Sequence, residues 1–207
     1  MSSSPSYLDP IILPLLVGET VLDVGCGYGR WGNLIQSNYW EAGLNKPPMV
    51  DGCDAFLPNV ELGRKHNAYR KIWQQILPSP FSDTWDTVLA CEIIEHIPQD
   101  KVEETLVQLE QAANKRLIIS TPNWPYYRGG GETIVGYNDY EAHVSYLPRS
   151  YFKQRGYTLI GAGWGNPTNF WVRVARRLNV PLAQTFQSLP RALPSLGESL
   201  VAYKDFS

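Results

Sequence analysis

The stretch Thr20-Val-Leu-Asp23-Val-Gly25-Cys26-Gly27-Tyr28-Gly29 opens on a run of strand length, apolar but for Asp23, and closes on three glycines. Such a run predicts a buried strand feeding a tight turn. Trp31, Leu34, Ile35 and Trp40 then recur at near-helical spacing, so a helix should follow from Arg30 to about Glu41. Glycines at a strand–helix junction let the backbone approach a ligand closely, beside the helix N-terminus. Two patterns fit the same letters. One is Asp23-x-Gly25-x-Gly27-x-Gly29; the other is Gly27-x-Gly29-x-x-Gly32, the dinucleotide fingerprint. Asp23 separates them, because a carboxylate two residues before the first glycine attracts a cation and repels a pyrophosphate.

Further strands are expected at Met49–Asp54, Tyr69–Trp73, Val88–Cys91, Leu117–Ser120, Tyr157–Gly161 and Ser199–Tyr203. Helical patterns separate them at Val60–His66, after an Asp100/Glu103 capping box, at Arg149–Arg155 before Gly156, and after Thr168. The last of these helices would carry Phe170, Trp171, Val174, Ala175 and Leu178 on one face, with Arg173, Arg176 and Arg177 on a solvated side. Strands alternating with helices specify an α/β fold, a doubly wound, mostly parallel sheet with helices on both faces. Residues 122–148 break this rhythm with Gly, Pro, Tyr and Trp and read as a functional loop.

The chain has 207 residues, 43% hydrophobic and 18% charged, which suits one folded domain over 1–207. Eighteen Lys+Arg against twenty Asp+Glu leave a net charge of −2, without the basic footprint of a nucleic-acid binder. Cys26, Cys53 and Cys91 lie far apart with no C-x-x-C pair. Free thiols of a cytoplasmic protein are therefore expected, rather than a disulfide framework or structural zinc. Met1–Pro10 lacks a basic region and Pro14 interrupts the run Ile11–Val17, so neither a signal peptide nor a membrane span is expected. His66, His96 and His143 have no metal-ligand spacing, and no metal is expected.

S-adenosylmethionine carries an ammonium and a sulfonium, whereas NAD carries two phosphates, so the charge of Asp23 favours the former. At this point the chain resembles the class I S-adenosylmethionine-dependent methyltransferases. VLDVGCGYG (21–29) is similar to their first motif, Gly52-Cys53-Asp54 to the end of their second strand, and WDTVLACEIIEHI (85–97) to their fourth. LIISTPN (117–123) and HVSYLPRSYFKQRGYTLIG (143–161) follow in the family's order. The EHI and STPN elements are most similar to the small-molecule branch that includes ubiquinone-biosynthesis O-methyltransferases. The resemblance implies a seven-stranded Rossmann-like sheet with its last strand antiparallel. The position of 122–148 after the fifth strand suggests a lid, and 164–197, longer than a minimal member needs, departs from the family as an insertion before the last strand.

It also implies a cofactor site of Asp23, Gly25, Cys26, Gly27, Gly29, Arg30, Asp54, Ala55, Gln75, Cys91 and Glu92. Asp54, about 22 residues past Gly32, has the spacing of an acceptor for ribose hydroxyls. Asp51, on the other strand phase, reads as structural. Gln74-Gln75 stand where the family has an Asp near the adenine, and Ala113-Asn114-Lys115 replace its glycine turn, with Asn114 able to cap in the left-handed conformation. On the acceptor side, His96 and His143 are candidate catalytic residues, against the plainer alternative of turn-ordering hydrogen bonders. Trp124, Tyr126 and Tyr127 are candidates for an aromatic cover over a small-molecule acceptor, against a surface loop packing its own rings. Two other functions stay open: an NAD(P)-dependent oxidoreductase, opposed by Asp23 and by the lack of a Tyr-x-x-x-Lys pair, and a methyltransferase-like protein that binds without turnover.

Overall fold

A computed structural model describes residues 4–41, 46–177 and 188–206. Seven strands form one sheet: β1 (Thr20–Val24), β2 (Met49–Asp54), β3 (Ile72–Gln74), β4 (Trp85–Cys91), β5 (Ala113–Pro122), β8 (Thr158–Ala162) and β9 (Ser199–Asp205). Their spatial order is β3-β2-β1-β4-β5-β9-β8. β1 pairs in parallel with both β2 and β4, so the winding reverses direction beside it. Such a reversal opens a crevice at the carboxyl ends of the strands. β9 runs antiparallel to both β5 and β8, as the resemblance implied.

Strand periodicity divides the core. Leu22, Val24, Val88, Ala90, Leu117 and Ile119 face one side, packed with Leu106 and Leu109 of α4 (Val102–Ala112) and with Phe152 of α5 (Arg149–Gln154). Val21, Leu89, Cys91 and Ile118 face the other, against Trp31 and Ile35 of α2 (Arg30–Glu41) and Leu8 and Ile12 of the N-terminal segment. Each buried Val, Leu, Ile or Phe among them contributes roughly 1.5–3 kcal/mol. Continuous apolar runs in β1, β4 and β5 are thus explained by two covered faces. The segment Ser6–Leu15, which overlaps the interrupted apolar run Ile11–Val17, forms three consecutive short helical turns, with α1 at Asp9–Ile12.

Several local expectations are corrected. Asp100 lies in a 3₁₀ turn, and no side chain caps α4; Glu103 instead meets Tyr151 and Arg155 from across the layer. The left-handed cap at Asn114 is replaced by Ala113, which passes directly from helix to extended backbone. A left-handed Asn does occur at residue 67, ending α3 (Leu57–His66). At α6 (Phe170–Arg177) the helix-starting N–H groups of Trp171 and Val172 donate to Asn169 Oδ1, not to Thr168. That helix buries Val172 and Ala175 and exposes Phe170 and Trp171, so its inner face differs from the expected one; Leu178 lies outside the described residues. Residues 122–148 contain a small hairpin, β6 (Gly131–Thr133) with β7 (Gly136–Asn138). Among the described residues, no helix is long and apolar enough to cross a membrane.

Candidate active site

Asp23 is the fourth residue of β1 and points to the α2 side of the sheet, where it is almost wholly buried. Tyr69 donates its hydroxyl to Asp23 Oδ2 at 2.6 Å, while Oδ1 is buried without a partner. Burial pushes the Asp23 carboxyl up to about 7, the Tyr69 bond pulls it down, and nearby Asp54 raises it again. Room for Tyr69 comes from two glycines. A Cβ on Gly32 would lie 2.6 Å from the Ala68 carbonyl and 2.7 Å from the Tyr69 ring, and one on Gly52 would lie 3.1 Å from that ring. The third glycine of the dinucleotide-like pattern is therefore accounted for by packing against Tyr69. Tyr69 is a site residue that the sequence did not reveal; Gly32 and Gly52 are the signal that could have found it.

Gly25, Gly27 and Gly29 all have positive φ, which a side chain would strain. The turn is tied to β2: Gly25 and Cys26 donate their N–H groups to the Cys53 carbonyl at 2.8 and 3.0 Å. Gly27 N–H donates to Asp54 Oδ2 at 2.8 Å. Asp54 Oδ1 accepts from Phe56 N–H at 2.8 Å and from Asn59 Nδ2 at 3.3 Å. An ionised carboxylate has about four acceptor positions. Oδ1 is thus filled, and Oδ2 keeps room for one further donor. Burial raises the Asp54 carboxyl against the pull of these three donors. Ala55 follows Asp54, and its carbonyl accepts from Gln74. Arg30 reaches away from the turn to Asp9 at 2.6 Å.

Gln75 sits past β3, but its amide serves its own loop, accepting from Trp73 Nε1 at 2.7 Å and donating to the Ser79 carbonyl at 2.9 Å. Asp51 is structural as read: Arg70 grips both its oxygens and Trp85 Nε1 donates to it at 2.9 Å. Burial alone would raise that carboxyl, and Arg70 and Trp85 together hold it below the usual range. Cys26, Cys53 and Cys91 are free and buried, and burial drives their thiols upward, away from the thiolate form.

Beyond β4, Glu92 adopts a left-handed φ of 56° and accepts from Ser120 Oγ at 2.9 Å. Burial lifts its carboxyl to about 7. The turn carries Ile93 over the glycine loop, where its Cδ1 would stand 1.9 Å from a Cβ on Gly25. Glu95 is buried; Oε2 accepts from Thr121 Oγ1 at 3.1 Å, and Oε1 has no partner. Burial, then Glu92, hold the Glu95 carboxyl well above its ordinary range.

His96 Nδ1 lies 3.0 Å from the Ala142 carbonyl, which only accepts, so Nδ1 carries the hydrogen and Nε2 the lone pair. His143 stands edge-on to His96 with ring centroids 4.7 Å apart, followed by Tyr126 at 5.2 Å and Trp124 at 4.9 Å from Tyr126. Burial lowers both histidines, His143 to about 4 with help from His96 and Arg128, so both rings are neutral at pH 7. The segment bearing them is anchored to the turn after β4: Val144 and Ser145 donate to the Glu95 carbonyl at 2.8 and 3.1 Å. Arg128 and His143 exchange backbone hydrogen bonds, and Arg128 pairs with Glu141 at 3.3 Å. Tyr127, Ile134, Tyr137 and Tyr140 are exposed at its outer edge.

A family model described as a methyltransferase domain matches residues 5–160, and the chain belongs to that family. No curated protein matches the sequence. Among solved structures, the chain is similar to magnesium protoporphyrin IX methyltransferase from Synechocystis PCC 6803 with bound SAH, at 16% identity and a TM-score of 0.56, covering 96% of this chain and 82% of that one. It is also similar to an S-adenosylmethionine-dependent methyltransferase from Mesorhizobium loti, at 14% identity and a TM-score of 0.55, covering 97% and 98%. A SAM-dependent methyltransferase from Archaeoglobus fulgidus aligns at 14% identity and a TM-score of 0.56, over 97% and 92%.

Proposed function

We propose that the protein transfers a methyl group from S-adenosylmethionine to an oxygen atom of a small-molecule acceptor, as its EHI and STPN elements suggest for the ubiquinone-biosynthesis-like branch. One observation carries the cofactor assignment. At the point where the sheet's winding reverses, a buried carboxylate oxygen of Asp23 has no partner beneath a glycine turn bound to Asp54. An unpaired buried acceptor is costly, at about 1–3 kcal/mol, and a cationic donor such as the cofactor's ammonium relieves it. Asp54 Oδ2 has capacity for one ribose hydroxyl. The glycine turn and Ile93 border the same space.

When bound, S-adenosylmethionine supplies a methyl group already activated by its sulfonium. The chain's task is to hold donor and acceptor in line and to exclude water. Cys91 and Glu92 border the sulfonium surroundings in this reading, and Ala55 and Gln75 the adenine, through backbone more than through the Gln75 amide. The row Trp124–Tyr126–His143–His96 forms the acceptor wall, where aromatic faces suit both a planar acceptor and a nearby cation. Neutral His96, its tautomer set by Ala142, keeps its Nε2 lone pair free on the acceptor side. Three unpaired buried thiols support a cytoplasmic location.

Calorimetry decides the cofactor. S-adenosylhomocysteine should bind with micromolar affinity, about −8 kcal/mol, and NADH should not compete. Thermal protection by NADH with none by S-adenosylhomocysteine would overturn the assignment.

A further inference from the structure

His96 and His143 are 47 positions apart in sequence, yet the anchoring of residues 142–145 to the turn after β4 brings their rings together above Glu95. One nitrogen of each ring and one Glu95 oxygen lie within 4.8 Å of one another. Ligand atoms that share one ion at about 2.1 Å stand roughly 3–4 Å apart, so small side-chain rotations would close the set. Two further observations point to a missing occupant. Glu95 Oε1 and His143 Nδ1 are both buried and both lack a hydrogen-bond partner, and their residues are only 2% and 8% exposed. His96, for its part, donates Nδ1–H to a backbone carbonyl, the outer-sphere bond by which metal-ligating histidines are oriented.

We propose that Glu95, His96 and His143 bind a divalent first-row transition metal ion, such as zinc or iron(II), on the acceptor side of the cleft. Two imidazoles and one carboxylate suit those ions, and three protein ligands leave coordination positions open to a substrate. Calcium and magnesium, which prefer all-oxygen sites, are disfavoured. Arg128 is the nearby cation that would oppose an ion, and its pairing with Glu141 offsets that charge.

The site's use, unlike its existence, rests on the proposed methyl transfer. An acceptor hydroxyl bound to the ion is acidified and releases its proton to solvent. Its oxygen then forms the new C–O bond as the methyl–sulfur bond breaks, and that bond's electron pair stays on the sulfur of S-adenosylhomocysteine. Acceptors with a second oxygen beside the first, such as catechols or hydroxy-ketones, would chelate best.

The test uses the full, tag-free chain stripped of metal with chelator. Cobalt(II) titration followed by visible absorption, with zinc competition, should show one equivalent bound with micromolar or tighter affinity. His143→Ala and His96→Ala should each weaken it at least a hundredfold, and Glu95→Gln at least tenfold. The absence of a cobalt spectrum with millimolar ion, or unchanged affinity in both folded histidine variants, would refute the site. Circular dichroism certifies folding, and because the histidine variants alter the wall rather than the sheet, they decide the matter if Glu95→Gln does not fold. S-adenosylhomocysteine binding by the same samples keeps the two ideas separable. Retained binding without metal uptake overturns the metal site alone, and metal uptake without cofactor binding overturns the methyl-transfer reading alone.

Discussion

The two halves of the cleft are built differently. On the β1–β2 side, Asp54 carries three donors and Asp23 one, and two of the four are backbone N–H groups of the turns that immediately follow the strands. On the β4–β5 side, Glu95, His96 and His143 converge from the turn after β4 and from a long excursion, and two of their polar atoms are left unpaired. The first half holds its shape through backbone hydrogen bonds. The second holds charge and lone pairs in place at the cost of desolvation, an arrangement that a bound partner would complete. In the function proposed above, the cofactor occupies the first half, where Asp23 Oδ1 is left for its ammonium, and the acceptor the second.

Affinity for S-adenosylhomocysteine, measured by calorimetry, breaks or sharpens that contrast. The largest effect is expected from Asp54→Ala, which removes the ribose acceptor and frees the Gly27 and Phe56 N–H groups; binding should weaken ten- to hundredfold, about 1.4–2.8 kcal/mol. An unchanged constant would move the ribose site elsewhere.

The next effect is one of pH. The Asp23 carboxyl is raised to about 7 by burial, so below pH 7 it holds a proton that must leave before it can pair with a cationic ammonium. Affinity should therefore rise with pH, at most tenfold per unit below 7, and level off above it. The same shift acts oppositely on the ligand-free fold: the protonated form is favoured, its stabilisation is fully present below the ordinary pKa near 4, and it is lost as pH rises through about 7. Tyr69→Phe removes the hydroxyl that stabilises the ionised form and should move the binding midpoint upward, whereas Asp23→Asn should flatten the profile. A pH-independent constant in the native protein would place the ammonium away from Asp23.

The smallest effect on this affinity is expected from the other half. Trp124→Ala and Tyr126→Ala should change it less than threefold, under 0.7 kcal/mol, while turnover of a methyl acceptor falls at least tenfold. A large loss of cofactor affinity in either variant would merge the two halves into one site.

The turn from β1 to α2 was legible because its requirements are local. Three positive-φ glycines, the apolar run before them and the amphipathic run after them all lie within about twenty residues, and Met49–Asp54 was readable to the residue. Caps were less legible, since several side chains competed for each. Glu103 was drawn away from Asp100 by Tyr151 and Arg155, and Asn169 displaced Thr168 one position from the expected start. Gln75 shows the same limit, its amide being taken by the cis-proline-containing loop that follows it.

The positions of most strands along the chain, the glycine turn and the carboxylates at Asp23 and Asp54 were legible in the sequence by itself, because backbone conformation and burial of apolar runs depend on neighbours along the chain. The antiparallel last strand came only from the family resemblance, and the order of strands across the sheet only from the structure. Only the tertiary structure decided what surrounds each of these features. Spacing along the chain gave no reason to join His96 to His143, and hydrogen bonds from Val144 and Ser145 to the Glu95 carbonyl are what bring them together. Nor did it connect Tyr69 to Asp23, 46 positions away, a contact that exists because Gly32 and Gly52 leave room for the ring. Such contacts depend on how packed layers meet. Short-range sequence patterns encode each layer's faces, but not which side chains end up opposite one another.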